Sequence, residues 1–239
     1  MITLIVDLET LPLDASPGYV PPTPPHTPPP RRTCPTNYGS DAAAAWERKE
    51  DERHAAEVAQ SGEVARRSAY DAWADGSLTW DRSRIGCVGL YHEQIGPVIY
   101  DCEEMGEVAA LEGLGYDLEA AGEVWAFGMF DARILRARYL AHHLPIPRPL
   151  RIGAKPWDRR WHDLQAVAAE CLTGRASEIR GISVDAICRH LGIVRAPSPV
   201  DGAGVLDAYL SGRWGEVIEH CRADVVDEWA ILGRLRGVL

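Results

Sequence analysis

The chain has 239 residues, 46% of them hydrophobic and 25% charged, ordinary proportions for a soluble globular protein with one sizeable core. Its formal net charge of −10, from 35 acidic and 25 basic side chains, excludes a protein that coats nucleic acid over its whole surface, though not one that grips a strand end locally. No apolar run approaches the ~18 residues needed to span a membrane, the N-terminal ITLIV is too short for a signal-peptide core, and the six cysteines are scattered without a C-x-x-C pair. The expectation is a cytoplasmic protein with no membrane partner.

In chain order, residues 2–8 form an apolar, β-branched run that predicts a buried first strand leading into Asp7 and Glu9. Residues i and i+2 of a strand share a face, so these carboxylates lie side by side, which destabilises a buried strand unless a cation sits between them. From Pro12 to Pro35 lie ten of the seventeen prolines, a density that excludes a regular helix or interior strand. This stretch reads as an extended, polyproline-like loop, either a solvated spacer or a docking motif for a protein partner. Residues 41–76, rich in Ala, Glu and Arg, predict one or two helices, with Gly62 as a break and Gly76 as a stop. Residues 12–80 are therefore expected as a proline-rich and helical insertion inside a single domain spanning 1–239.

Strands follow at 84–93 and 97–104, a helix at 106–122 and another buried strand at 123–130. Helical periodicity covers 131–144, and further helices are expected at 162–172, 183–191, 203–210 and 213–237. The layout is α/β, with a mixed central sheet flanked by helices.

Three further stretches carry chemistry. Asp131 follows the 123–130 strand at a helix start, where an N-cap is the ordinary role. Asp224 lies in an amphipathic helix four residues after His220, so the two share a face; a surface His–Asp contact is the ordinary reading. From 133 to 160, Arg133, Arg136, Arg138, Arg148, Arg151, Lys155, Arg159 and Arg160 face only Asp158 among the acids, with Trp157 and Trp161 interleaved. Aromatic faces stack on unpaired bases, so the segment is either a solvated basic face or a strand-guiding rim in which Arg133, Trp157, Arg159, Arg160 and Trp161 hold nucleic acid. Asp163 reads as structural and Asp201 as a cap, while His142, His143 and His190 carry no ligand spacing.

Asp-x-Glu on the first strand, Asp131 after Phe130, and His220-x-x-x-Asp224 near the end occur in one order, together with WHDL (161–164), SVDAICRHLGI (183–193) and DGAGVLDAYLSGRWGEVIEHCRADVV (201–226). In these blocks the chain resembles the DEDD exonucleases of the DnaQ-like branch of the RNase H-like fold, in particular predicted 3′–5′ exonucleases related to the exonuclease domain of B-family DNA polymerases. The resemblance implies hydrolysis of the terminal phosphodiester at a single-stranded 3′ end, DNA ahead of RNA, by a two-metal centre holding Mg²⁺ or Mn²⁺. It implies Asp7, Glu9, Asp131 and Asp224 as metal ligands and His220 as general base. An exoribonuclease with the same site, and a binding module that has lost activity, are the alternatives. Two positions depart from the family pattern: Ala126 stands where an Asn usually precedes the second-motif Asp by five residues, and His220 occupies the spacing of the tyrosine subgroup.

Overall fold

The computed structural model describes residues 2–21, 26–36, 39–153, 160–175 and 182–237. The chain divides into two compact units, Tyr19–Asp75 and the remainder, Met1–Gly18 with Gly76–Leu239.

The larger unit is built on a five-stranded sheet in the order β3-β2-β1-β4-β5. At its centre, β1 (Thr3–Pro12) pairs antiparallel with β2 (Ser83–His92) and parallel with β4 (Glu123–Ala126). β2 forms an antiparallel pair with β3 (Gly96–Asp101), and β4 a parallel pair with β5 (Trp161–Asp163). A central strand covered on both faces needs a nearly continuous apolar run, which Leu4–Val6 supplies. Helices cover both faces, so this mixed sheet is consistent with an RNase H-like fold.

The pleat sorts β1 between two cores. Leu4, Val6 and Leu8 pack with the helices α3 (Glu107–Ala120) and α4 (Phe130–Ala141). Ile5 turns the other way, into a cluster with α5 (Leu164–Thr173), α6 (Val184–Leu191) and α8 (Trp214–Arg236). Two short helices, α2 (Cys102–Met105) and α7 (Val205–Leu210), complete the unit.

Several boundaries differ from the sequence expectation, each for a local reason. The strand expected over 123–130 stops at Ala126, because Gly128 adopts φ 94° and turns the chain into α4. The helix expected from 162 begins at Leu164, since residues 161–163 pair with Val124, Trp125 and Ala126 as β5. Asp163 ends that strand and caps α5, accepting from the Ala166 N–H at 2.9 Å. Likewise β3 ends at Asp101, whose carboxylate accepts from the N–H groups of Glu103 and Glu104 to start α2. Asp201 is a cap as expected, receiving the Gly204 N–H at 2.9 Å.

In the smaller unit, residues 40–74 form one helix, α1 (Ser40–Ala74), and Gly62 lies buried in its interior, not at a break. The described part of the proline-rich segment has no regular structure and runs antiparallel to α1. Tyr19 meets Trp73 with ring centroids 5.0 Å apart, the Pro29 carbonyl lies 2.9 Å from His54 Nε2, and the Arg32 N–H donates to Glu50 at 2.7 Å. Arg31 reaches both Glu47 and Asp51 at 2.5 Å. Backbone that cannot form a ladder is thus satisfied partly by helix side chains. No helix among the described residues is long and apolar enough to cross a membrane.

Candidate metal centre

Asp7 and Glu9 continue the Ile5 face of β1, the face covered by α8. That helix buries Val217, Cys221, Val225, Ile231, Leu232 and Leu235 along one stripe, and the polar residues His220 and Glu228 are buried with them. His220, Asp224 and Glu228 follow at intervals of four and line up on that face. Close approach of α8 requires Gly89 on β2, which pairs with Asp7. A Cβ there would meet Cys221 Sγ and Val225 Cγ1 at 2.8 Å. A register shift between Glu9 and Thr10 re-aims the strand just beyond the carboxylates.

The result is a convergence of acids. His220 Nε2 lies 3.6 Å from Glu9 Oε1 and 3.5 Å from Asp224 Oδ2. Both separations exceed a hydrogen bond and leave an ion or water within reach of all three. Ligand atoms of Glu9, His220 and Asp224 lie within 4.8 Å of one another, as do those of Asp7, Glu9 and Cys221. Asp131 is buried in the first turn of α4 and makes no cap hydrogen bond; Met129 occupies the N-cap position, so the ordinary cap role does not account for Asp131. His220 is buried as well, which removes the surface-contact reading of the His220–Asp224 pair.

Electrostatics mark this cluster as strained in the absence of a cation. Burial, then the Asp224 charge, pushes the Asp7 carboxyl up to about 7. Burial followed by Asp7 does the same to Glu9 and Asp131, holding both well above the usual carboxylate range. Burial also raises Asp224, with His220 and Arg195 opposing it. The Leu8 N–H and the Cys221 thiol reach the Asp7 carboxyl and partly oppose its rise, but Oδ2 is buried with no hydrogen-bond partner among the described residues. A buried carboxylate oxygen without a donor is costly, and a hard divalent cation is the partner that such oxygens fit. A hydrogen bond with Cys87, then burial, holds the Cys221 thiol far above its ordinary value, so it stays protonated and the donor set is oxygen with one imidazole.

The tautomer of His220 follows from its neighbour. Ser198 Oγ donates to the Val200 carbonyl at 2.5 Å and lies 3.0 Å from His220 Nδ1, so it accepts the Nδ1 proton. In the neutral ring this leaves Nε2 unprotonated, facing Glu9 and Asp224.

Residues 123–238 match the model of a family described as "Predicted 3′-5′ exonuclease related to the exonuclease domain of PolB". Over these residues, a little less than half of the chain, the sequence is similar to that family. Neither the curated proteins nor the solved structures give a match. The exonuclease-family span contains Asp131, His220 and Asp224; Asp7 and Glu9 precede it, and the β1–β4 and α8–β1 packing brings them to the same place.

Three residues at this site escaped sequence reasoning. Glu228 is buried with Oε2 unpartnered, and burial followed by Asp7, Asp131 and Asp224 holds it well above the carboxylate range. Its signal was present, four residues after Asp224 on an otherwise apolar face. Arg195 donates to Asp227 at 2.7 Å and to Asp224 at 3.1 Å, while Asp227 also accepts the Ala196 N–H at 2.8 Å. No local pattern announces Arg195 or Ser198, because both reach α8 from a loop. Of the basic-rim residues, Arg133 is exposed on α4, and Arg160 and Trp161 share a cavity; Trp157 and Arg159 lie outside the described residues.

Proposed function

We propose that the protein is a metal-dependent 3′–5′ exonuclease that hydrolyses terminal phosphodiesters of single-stranded DNA and releases nucleoside 5′-monophosphates. The observation that carries this reading is the convergence of Asp7, Glu9, Asp131 and Asp224 around Asp7 Oδ2, a buried carboxylate oxygen with no hydrogen-bond partner among the described residues. These four carboxylates would hold two Mg²⁺ or Mn²⁺ ions, which supply Lewis-acid stabilisation of the attacking and leaving oxygens. His220 Nε2 takes the proton of the attacking water as general base. Ser198 fixes the ring by accepting from Nδ1. Water oxygen bonds to phosphorus as the P–O3′ bond breaks, leaving a 3′-hydroxyl on the shortened strand. Arg195 holds Asp224 and Asp227 in place, and Arg133, Arg160 and Trp161 guide the strand beyond Asp131.

The reading rests on the RNase H-like arrangement of the sheet, in which the carboxylates gather beside the middle and C-terminal half of the central strand. A paired assay tests polymer and polarity. Single-stranded DNA and RNA oligonucleotides with a free or blocked 3′ end are incubated with Mn²⁺, and the products are separated by chromatography. Deoxynucleoside 5′-monophosphates from the free 3′ end alone are the expected result. Release of internal fragments, or equal cleavage of blocked ends, would overturn the polarity. Faster loss of the RNA would replace DNA with RNA as the substrate.

A further inference from the structure

A second concentration of charge lies beside Asp131, outside the carboxylate cluster. Met129 and Ala132, on either side of it in sequence, contribute to the wall of a cavity of about 400 Å³. The same wall carries Arg136, Arg148, Arg151 and Arg160, with Trp161 and Asp163.

In a chain with 35 acids and 25 bases, an arginine readily finds a carboxylate. Arg138 meets Glu107 at 2.7 Å, Arg195 meets Asp227 at 2.7 Å, and Arg84 and Arg236 pair with Glu103 and Glu123. Three of the cavity arginines, Arg136, Arg151 and Arg160, are held differently. Arg136 Nε donates to the Ala132 carbonyl at 2.8 Å, Arg160 to the Ala121 carbonyl at 2.7 Å, and Arg151 Nε to the Ile146 carbonyl at 3.1 Å. Backbone carbonyls aim a guanidinium without cancelling its charge. Among the described residues no carboxylate lies within ion-pair distance of Arg136 or Arg160, and Arg151 has only Glu119 at 3.5 Å, with both side chains exposed. Asp163, the single acid among the described residues of the wall, is occupied as the cap of α5. Trp161 adds a buried indole N–H with no partner among the described residues. Arg136 and Arg160, aimed by backbone carbonyls with no carboxylate in reach among the described residues, fit the oxygens of a phosphate in this concave site.

We propose that this cavity is a phosphate-binding site separate from the metal centre, and that it takes a backbone phosphate of the single strand whose 3′ end lies at the carboxylates. The strand assignment rests on the exonuclease reading; the phosphate chemistry does not. A strand that passes Asp131 meets these arginines next, because Met129 and Ala132, which flank Asp131 in the chain, line the cavity.

The test is strand binding by the full chain in EDTA, where no hydrolysis occurs, read by fluorescence anisotropy of a labelled single-stranded DNA oligonucleotide. Wild type runs beside Arg136→Gln/Arg160→Gln and, as a surface variant that spares the sheet, Arg151→Gln. The double variant is expected to weaken binding by roughly tenfold or more and to flatten the salt dependence by about one to two in log–log slope, with Arg151→Gln losing less. The Mn²⁺-induced rise in Tm should be the same in all three proteins. Unchanged strand affinity in both variants overturns the proposal, as does loss of the Mn²⁺ shift in parallel with affinity, which would make the arginines part of the metal centre. Inorganic phosphate and a nucleoside 5′-monophosphate serve as competitors. Displacement of the strand by either at micromolar concentration overturns the strand assignment in favour of a free phosphate ligand. Binding through the arginines, with no cleavage of the same oligonucleotide in Mn²⁺, sinks the exonuclease reading and leaves the phosphate site standing.

Discussion

Ser198 sits between a carbonyl and an imidazole, and that position settles which nitrogen of His220 is basic. Its single proton goes to Val200, so Nδ1 must donate and Nε2 is left to face Glu9 and Asp224. His220→Ala is therefore expected to lower kcat by roughly 10²–10⁴-fold, the range for a general base, with little change in cation binding. Ser198→Ala acts only through the ring and should cost roughly tenfold, with a displaced acidic limb in the pH–rate profile. An unchanged pH profile in Ser198→Ala would remove its positioning role. Asp7 makes a different prediction. Asp7→Asn removes a charge that burial and Asp224 oppose, so the EDTA-treated variant should melt above wild type while showing no Mn²⁺ shift. Calorimetry of both proteins, with and without Mn²⁺, checks this directly.

The same carboxyl gives a pH dependence with a definite sign. An unfolded aspartate ionises near ~4, whereas folding holds Asp7 protonated to about 7. Between those values the folded chain binds the extra proton, so stability of the metal-free protein falls as pH rises through this window. Glu9, Asp131 and Glu228 are raised too and push in the same direction. Tm measured in EDTA should decline from pH 5 to pH 8, and Mn²⁺ should flatten the decline. A Tm that rises over that range would contradict the electrostatic account.

At the scale of elements, α8 carries the site because it fits the sheet at one place. Gly89 leaves the space that Cys221 and Val225 fill, and Asp7 is its partner across β1–β2. Gly89→Ala drives a methyl into that contact and is expected to cost about 1–3 kcal/mol and to lower kcat as His220 and Asp224 move with the helix. Pairing it with Cys221→Ala should recover part of the stability, since one of the two closest atoms is Cys221 Sγ. Much of this arrangement was legible in the sequence. The alternation of β1, the helical stripe around His220 and Asp224, and the Asp-x-Glu spacing all act over a few residues. β5 was not legible, because three residues cannot show a period, and WHD becomes a strand only by pairing with β4. Gly62 was misread as a break because its space is set by a distant segment; a Cβ there would come within 3.4 Å of His26. Arg195, Ser198 and Glu228 are tertiary features, fixed by which loop and helix face meet the acids.

At the scale of the molecule, the proposed function asks an acidic protein to handle a polyanion, and its charges are concentrated by sign. Net charge is −10, yet the wall beside Asp131 presents guanidinium groups aimed by backbone carbonyls. The acids instead gather in one buried cluster, which bound divalent cations would turn into an attractive surface for phosphate. The smaller unit shows the same economy of charge in another role, with Glu47, Glu50 and Asp51 on α1 engaging Arg31 and the Arg32 N–H of the proline-rich segment. The central claim is that the Asp7 cluster is a hydrolytic metal centre working from the 3′ end. Its most direct test is the Mn²⁺-dependent cleavage of a 5′-labelled single-stranded DNA by wild type and by folded Asp7→Asn. A ladder shortening one nucleotide at a time in wild type, absent from Asp7→Asn and from EDTA controls, is the predicted result. An equal ladder from Asp7→Asn, or none from wild type that binds Mn²⁺, would contradict it.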